Sequence, residues 1–329
     1  MEQSRLADRT PCALHRFAVL SACVTFFLIF VGGLVTSTGS ALAVPDWPLA
    51  FGKLIPSWQG GIRFEFGHRL VAATVVVLTL ALMLWASRAE PRGWVRRLAY
   101  IAFGLVIFQA VLGGITVLFE LPLLIAVTHA ATAQAFVCLM VSIALVTNPN
   151  WEDAPRREEP PARIPLATLA IVTTAIIYVQ ILIGALMRHL GAGLVIPDFP
   201  LSFGHLIPPY INEYIGINFA HRCGAVVVTT MVLWTVIRVL RVHTNNTPLR
   251  HSALLLLLLL AMQISLGALT IWTGRAVIPT TAHVLVGAGV LATTLTIAIR
   301  ASHLLAPSNR AARSHARAME AITSHGVTA

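Results

Sequence analysis

The sequence predicts an all-α integral membrane protein whose eight transmembrane helices form two pseudosymmetric four-helix bundles. Three observations predict it. Of the 329 residues 57% are hydrophobic and 11% charged, with a mean hydropathy of +0.80, whereas a soluble domain carries about 25% charged residues. Eight apolar stretches reach the roughly 20 residues that a helix needs to cross a bilayer. The second half of the chain repeats the first.

The elements follow in order. Span one covers 15–36. It lacks a small-residue cleavage site and is followed by further spans, so it reads as a retained helix rather than a signal peptide. Spans two to four cover 67–87, 98–119 and 121–147. The segment 148–163 is polar and proline-rich, and reads as a cytoplasmic linker. Spans five to eight cover 164–187, 216–237, 252–273 and 277–299. The Ala/Arg/Ser-rich stretch after His303 reads as a poorly ordered cytoplasmic tail. The expected organisation is an N-terminal half over 1–147, the linker, a C-terminal half over 164–302 and a tail over 303–329.

Charge gives an orientation. Segments 1–16, 88–97, 148–163, 238–251 and 300–329 carry 17 of the 23 Lys+Arg. The others are Lys53, Arg63, Arg69, Arg188, Arg222 and Arg275. Basic residues collect in cytoplasmic loops, so both termini are expected in the cytoplasm of a multi-pass cell-membrane protein. The same bias accounts for the net charge of +10 without nucleic acid, since the arginines show no aromatic interleaving and no nucleic-acid motif. Cys12, Cys23, Cys138 and Cys223 form no C-x-x-C. They read as small hydrophobic residues rather than a disulfide framework or zinc site.

The repeat is explicit. Residues 44–56 (VPDWPLAFGKLIP) and 196–208 (IPDFPLSFGHLIP) are identical at 9 of 13 positions, at an offset of 152. Glu65-Phe66-Gly67-His68-Arg69 faces Asn218-Phe219-Ala220-His221-Arg222 at 153. Gln109-x-x-Leu112-Gly113-Gly114-x-Thr116 faces Gln263-x-x-Leu266-Gly267-Ala268-x-Thr270 at 154, and His129 faces His283. Four spans per repeat give both halves the same orientation, related by an axis along the membrane normal.

Eight of the 12 histidines lie in loops or terminal segments and read as solvated side chains. The other four, His68, His129, His221 and His283, lie within spans, where an ionisable residue is costly. A lone histidine in a span is more often a satisfied core residue than a ligand. Here each half offers one imidazole from its second helix and one from its fourth, at similar depth near the outer face. Two facing imidazoles in a four-helix core are a natural axial pair for haem iron. An isolated zinc or copper ion would want a third or fourth ligand, and no Cys, Met or carboxylate recurs at that depth in both halves. Gly32-Gly33, Gly113-Gly114, Gly184-Ala185 and Gly267-Ala268 suit a large flat ligand, close helix packing, or both. Arg69 and Arg222 follow the histidines directly, and either reach a haem propionate or snorkel to headgroups.

The halves differ at Glu65, which becomes Asn218. Glu65 precedes His68 by three residues, so the two share a helix face. An acid beside a reacting carbon can take a proton or stabilise positive charge; the structural alternative is a surface carboxylate paired with Arg63 or Arg69. One reactive half and one accessory half is the simplest inference. Asp46 and Asp198, each in Pro-Asp-aromatic-Pro, read as turn formers.

These motifs together resemble the haem A synthase family, membrane enzymes that convert haem O to haem A. The resemblance runs from about Gly32 to about Gly287, carried by GGLVTSTGSALAVPDWP, Glu65-x-x-His68-Arg69, Gln109-x-x-Leu112-Gly113-Gly114-x-Thr116 with His129, and their repeats. It implies a haem b cofactor on His221 and His283, with haem O as substrate near His68 and His129. It also implies a functionally required acid at Glu65. The reaction it implies is stepwise oxidation of a porphyrin methyl to a formyl through hydroxylated intermediates. A haem O-producing enzyme, terminal oxidase assembly factors, an unidentified electron acceptor and membrane lipid are the implied partners. The chain departs from the family in two places. Val44 and Ala50, with Ile196 and Ser202, stand where some members carry a cysteine pair, so no redox disulfide is expected in that loop. Thr36-Ser37-Thr38 replaces a common basic residue, which Arg188 supplies in the second repeat.

Two other functions compete. A non-catalytic membrane b-type cytochrome would place haems on opposite sides of the membrane, whereas all four histidines lie near one face. A porphyrin transporter would show broken helices at the midplane, and no span carries a paired proline or unwound signature.

Overall fold

A computed structural model describes residues 10–306. The expectations for Arg5, Arg9 and the tail beyond Ala306 fall outside them. Within the described residues, eight helices are long and apolar enough to cross a membrane: α1 (Cys12–Ser37), α2 (Ile62–Ala89), α3 (Gly93–Leu118), α4 (Leu123–Val146), α5 (Leu166–His189), α6 (Glu213–Val242), α7 (Thr247–Trp272) and α8 (Val277–Leu304). The protein is an all-α integral membrane protein. In hydrocarbon every backbone N–H and C=O must be satisfied within the segment, which leaves the helix as the economical solution for such runs.

Several helices outrun the apolar spans that announce them; α6 extends three residues before 216 and five after 237. Hydropathy marks the hydrocarbon-embedded part, whereas the helix continues until its backbone meets a stop. Asn212 and Asn246 start α6 and α7 by accepting from the amides of Ile215 (2.9 Å) and Leu249 (3.2 Å). Gly39, at φ +68°, follows the end of α1, and Gly274, at φ +59°, turns the chain from α7 into α8.

Helices α1–α4 close a ring of contacts, α1 with α2, α2 with α3, α3 with α4 and α4 with α1; α5–α8 do the same. The two rings meet where α1 and α4 touch α8 and where α4 touches α5. Each ring has its own hydrophobic core. One is built around Leu14, Leu82, Phe136 and Met140, the other around Leu166, Val232, Leu256 and Ile297. Both cores fill the linker-side part of their bundle, and the histidines lie beyond them.

The linker end is tied by polar contacts. Buried Glu90 accepts from Thr10 Oγ1 (2.5 Å) and pairs with Arg92 (2.6 Å), whose guanidinium also reaches Glu152 and the Val146 carbonyl. Burial opposes the charge on Glu90, but the Arg92 and Thr10 hydrogen bonds outweigh it and hold the carboxyl below its ordinary range. The linker is not wholly irregular. Arg157–Glu158 (β1) pairs in parallel with Leu305–Ala306 (β2), and Glu159 accepts from the Leu166 amide at the start of α5.

Candidate functional site

The four histidines sit alike. His68, His129 and His283 are each the seventh residue of α2, α4 and α8, and His221 is the ninth of α6. Each is therefore about two turns from the start of its helix. These four helices alternate with α1, α3, α5 and α7, so the imidazoles gather at one end of the molecule. All four are half-buried.

Each ring is seated on a glycine of the neighbouring odd-numbered helix. A Cβ at Gly32 would stand 3.3 Å from His68 Nε2, at Gly113 3.4 Å from His129 Cε1, at Gly184 2.9 Å from His221 Cε1, and at Gly267 3.1 Å from His283 Cε1. These seats explain four of the small residues in the odd-numbered spans. His129 Nδ1 is buried without a hydrogen-bond partner. Among the described residues no cluster of three or more His, Cys, Asp or Glu forms. A pair of imidazoles per half, held over glycine seats with no third protein ligand among the described residues, fits a planar metallomacrocycle that brings its own equatorial ligands. A cavity of about 600 Å³ lies elsewhere, at the linker end beside Trp94, Trp151 and His303, and contains none of the four.

The loops above the histidines are built twice from the same parts. Asp46 accepts from the amides of Phe51 (2.6 Å) and Gly52 (2.8 Å), and Asp198 from Phe203 (2.7 Å) and Gly204 (2.8 Å). Those amides, Gly52 and Gly204 foremost, hold both carboxyls below the usual carboxylate range. Phe51–Gly52 and Phe203–Gly204 take positive φ, the strained turn that the aspartates stabilise. This is the structural role expected of them.

Arg69 and Arg222 are the loop anchors. Arg69 donates to the carbonyls of Asp46 (2.8 Å), Leu49 (2.9 Å) and Val44 (3.0 Å). Arg222 donates to those of Asp198 (2.8 Å), Leu201 (2.7 Å) and Ile196 (3.0 Å). Neither of the two sequence readings, propionate or headgroup, describes these bonds. Glu65 is 3% exposed; one carboxylate oxygen takes the Val44 amide (2.8 Å) and the other pairs with Arg69 (2.6 Å). Asn218 replaces it with an uncharged amide, donating to Ala192 O (2.8 Å) and accepting from Arg222 (3.0 Å). Glu65 thus faces the loop backbone one turn from His68. Trp47 of that loop lies on Gly114, where a Cβ would meet the indole at 2.6 Å.

Three glutamines lie near the rings: Gln109 and Gln263, which the repeat marked without giving them a role, and Gln180, which it did not mark. Gln180 Nε2 lies 3.0 Å from His221 Nδ1, Gln263 Nε2 lies 3.3 Å from His283 Nε2, and Gln109 donates to the His129 carbonyl at 2.9 Å. The recurrence of Gln109 and Gln263 in the repeat was the available signal. Arg188, at the position of Thr36, donates to Ser37 Oγ across the seam between the halves (3.2 Å).

Residues 62–295 match the family model for the cytochrome oxidase assembly proteins. The chain is similar to a haem A synthase of Symbiobacterium thermophilum, 32% identical over 269 residues covering 78% of this chain and 85% of that protein. It is 30% identical to one of Shouchella clausii (80% and 88% covered) and 29% identical to one of Staphylococcus haemolyticus (79% and 86% covered).

Proposed function

The chain belongs to the cytochrome oxidase assembly protein family, and on that premise we infer that it is a haem A synthase of the membrane. Its substrate is haem O, and as an oxidoreductase it converts one porphyrin methyl to a formyl by successive hydroxylation. The product serves terminal oxidases, which calls for a haem O-producing enzyme upstream, assembly factors downstream and an electron acceptor. Haem b is the cofactor, held in the second half by His221 and His283; when bound it supplies a reversible one-electron couple. The first half, with His68 and His129, receives haem O. Glu65 is the required acid of that half, and its charge with Arg69 keeps the Val44–Ala50 loop closed over the site. Both termini lie in the cytoplasm and the haem sites lie near the outer face, as the distribution of arginine suggests.

The observation that carries this reading is the duplicated pair of imidazoles, each seated on a helix glycine. The test is chromatography of haem extracted from protein purified from cells that make haem O. Haem A together with haem b is expected; haem b alone would remove the catalytic assignment and leave a membrane cytochrome.

A further inference from the structure

The two loops at the histidine end finish on the same exposed tip. Ala50 and Lys53 exchange backbone hydrogen bonds (2.9 and 3.1 Å), and Ser202 and His205 do the same (2.7 and 3.1 Å). Each pair closes a tight turn. Two large aliphatic residues follow it directly, Leu54-Ile55 in one half and Leu206-Ile207 in the other, and all four are 67–84% exposed. Buried Pro56 and Pro208 fix the chain on their far side. Trp58 and Tyr210, four residues beyond each leucine, are exposed as well. Contiguous apolar surface of this kind marks a contact with a membrane or a protein.

Three observations identify lipid. The first is depth. Arg69 is the eighth residue of α2 and Arg222 the tenth of α6, so each ties its loop about two turns into a membrane-crossing helix. The next residues on those helices, Leu70 and Cys223, are exposed, so the loops lie beside a surface that faces the bilayer. The second is the backbone. Asp46 takes the Phe51 and Gly52 amides, Arg69 takes three carbonyls, Glu65 takes the Val44 amide, and Pro45 and Pro48 have no N–H to satisfy. Asp198, Arg222, Pro197 and Pro200 repeat the arrangement. A backbone already bonded within its loop tolerates a medium poor in water, where unpaired N–H and C=O groups are costly. The third is duplication. Four spans per repeat bring both tips to the same face of the membrane, and a bilayer surrounds both bundles at once.

We propose that Leu54-Ile55 and Leu206-Ile207 are twin membrane anchors that dip into the headgroup–acyl boundary beside their bundles. The partner is the lipid surface of the leaflet at the histidine end. Trp58 and Tyr210 lie at the headgroup level, as amphipathic rings do, and the Lys53 ammonium reaches the lipid phosphates while its stem lies along the apolar surface. Each loop is thereby held from the lipid side as well as by its arginine.

The experiment uses the full chain in nanodiscs of phosphatidylcholine and phosphatidylglycerol. The exposed native cysteines are removed as Cys12→Ser, Cys23→Ser and Cys223→Ser, and a nitroxide is placed on Leu54→Cys or Leu206→Cys. Val77→Cys, exposed in the middle of α2, sets the lipid limit, and Asn150→Cys, exposed in the linker, sets the aqueous one. Relaxation by oxygen relative to a water-soluble nickel chelate should be several-fold greater at both tips than at Asn150→Cys, and close to that at Val77→Cys. Nickel relaxation equal to that at Asn150→Cys overturns the proposal, and so does weak relaxation by both reagents, which would set the tips against protein. A hydroxyl-radical pulse on wild-type protein in the same nanodiscs gives a reading without label or substitution. Leu54-Ile55 and Leu206-Ile207 should be oxidised several-fold less than in the denatured chain; oxidation at the denatured level overturns the proposal.

Discussion

Glu65 and Asn218 occupy one place in the two repeats, and the difference between them is a charge. Spacing alone placed Glu65 on the His68 face; the fold engages its carboxylate with Arg69 and the Val44 amide. Glu65→Gln preserves shape and removes the ion pair. We expect haem A in extracts to fall at least tenfold with haem b retained, and normal haem A would remove the acid from the reaction. Asp46 makes a second prediction. Its carboxyl lies below the ordinary value because it is bonded to the Gly52 and Phe51 amides in the folded loop. A depressed carboxyl stabilises the fold above its unfolded pKa and loses that contribution as pH falls through the folded value. Hydrogen exchange at Phe51 and Gly52 should therefore be protected at neutral pH and lose protection in strong acid, whereas Asp46→Ala should lose it at every pH.

Helices supply the seats and the ties. Gly184 leaves no room for a side chain, since its Cβ would lie 2.9 Å from the His221 ring, whereas nothing stands within 4 Å of a Cβ at Gly104. Gly184→Val should abolish the low-spin haem spectrum, while Gly104→Ala, also mid-helix, should leave it unchanged; equal spectra in both would show that the glycine is not a seat. At the linker end, Glu90 and Arg92 form a buried pair with Thr10 and Glu152 around it. Removing one partner of such a pair costs about 3–5 kcal/mol. Glu90→Ala should lower the thermal midpoint in detergent while leaving the haem spectrum of the surviving folded protein intact. Because Glu90 is depressed, the same stabilisation should fade in the wild type as pH drops through its folded value, in the acid range below 4.5.

The whole molecule is two bundles sharing a seam, and α8 is its centre, with Leu291, Thr294 and Ile297 fully buried. Gly33 meets Thr281 across that seam, its Cβ position 3.2 Å from the Thr281 methyl, and Thr281 donates to Ser37 Oγ at 3.1 Å. Gly33→Leu should overpack it by about 1–3 kcal/mol and lower the thermal midpoint of both haem signals together; a change confined to one half would mean the bundles are mechanically independent. Number of spans, duplication and the four histidines were legible in the chain. Bilayer thickness, the 3.6-residue period and the expense of a polar group in hydrocarbon act on local sequence, and a repeat doubles every such signal. Beyond the Glu65–Arg69 pair, which the spacing allowed as an alternative, what each polar side chain bonds was not legible. The arginines after the histidines turned to loop carbonyls, the acid turned to its loop, and Gln180 came to rest beside a ring 41 residues away. Those choices depend on which groups from distant helices arrive at one point, and on whether a glycine there leaves room. Composition and period carry no such information, and only the packed tertiary structure decides it.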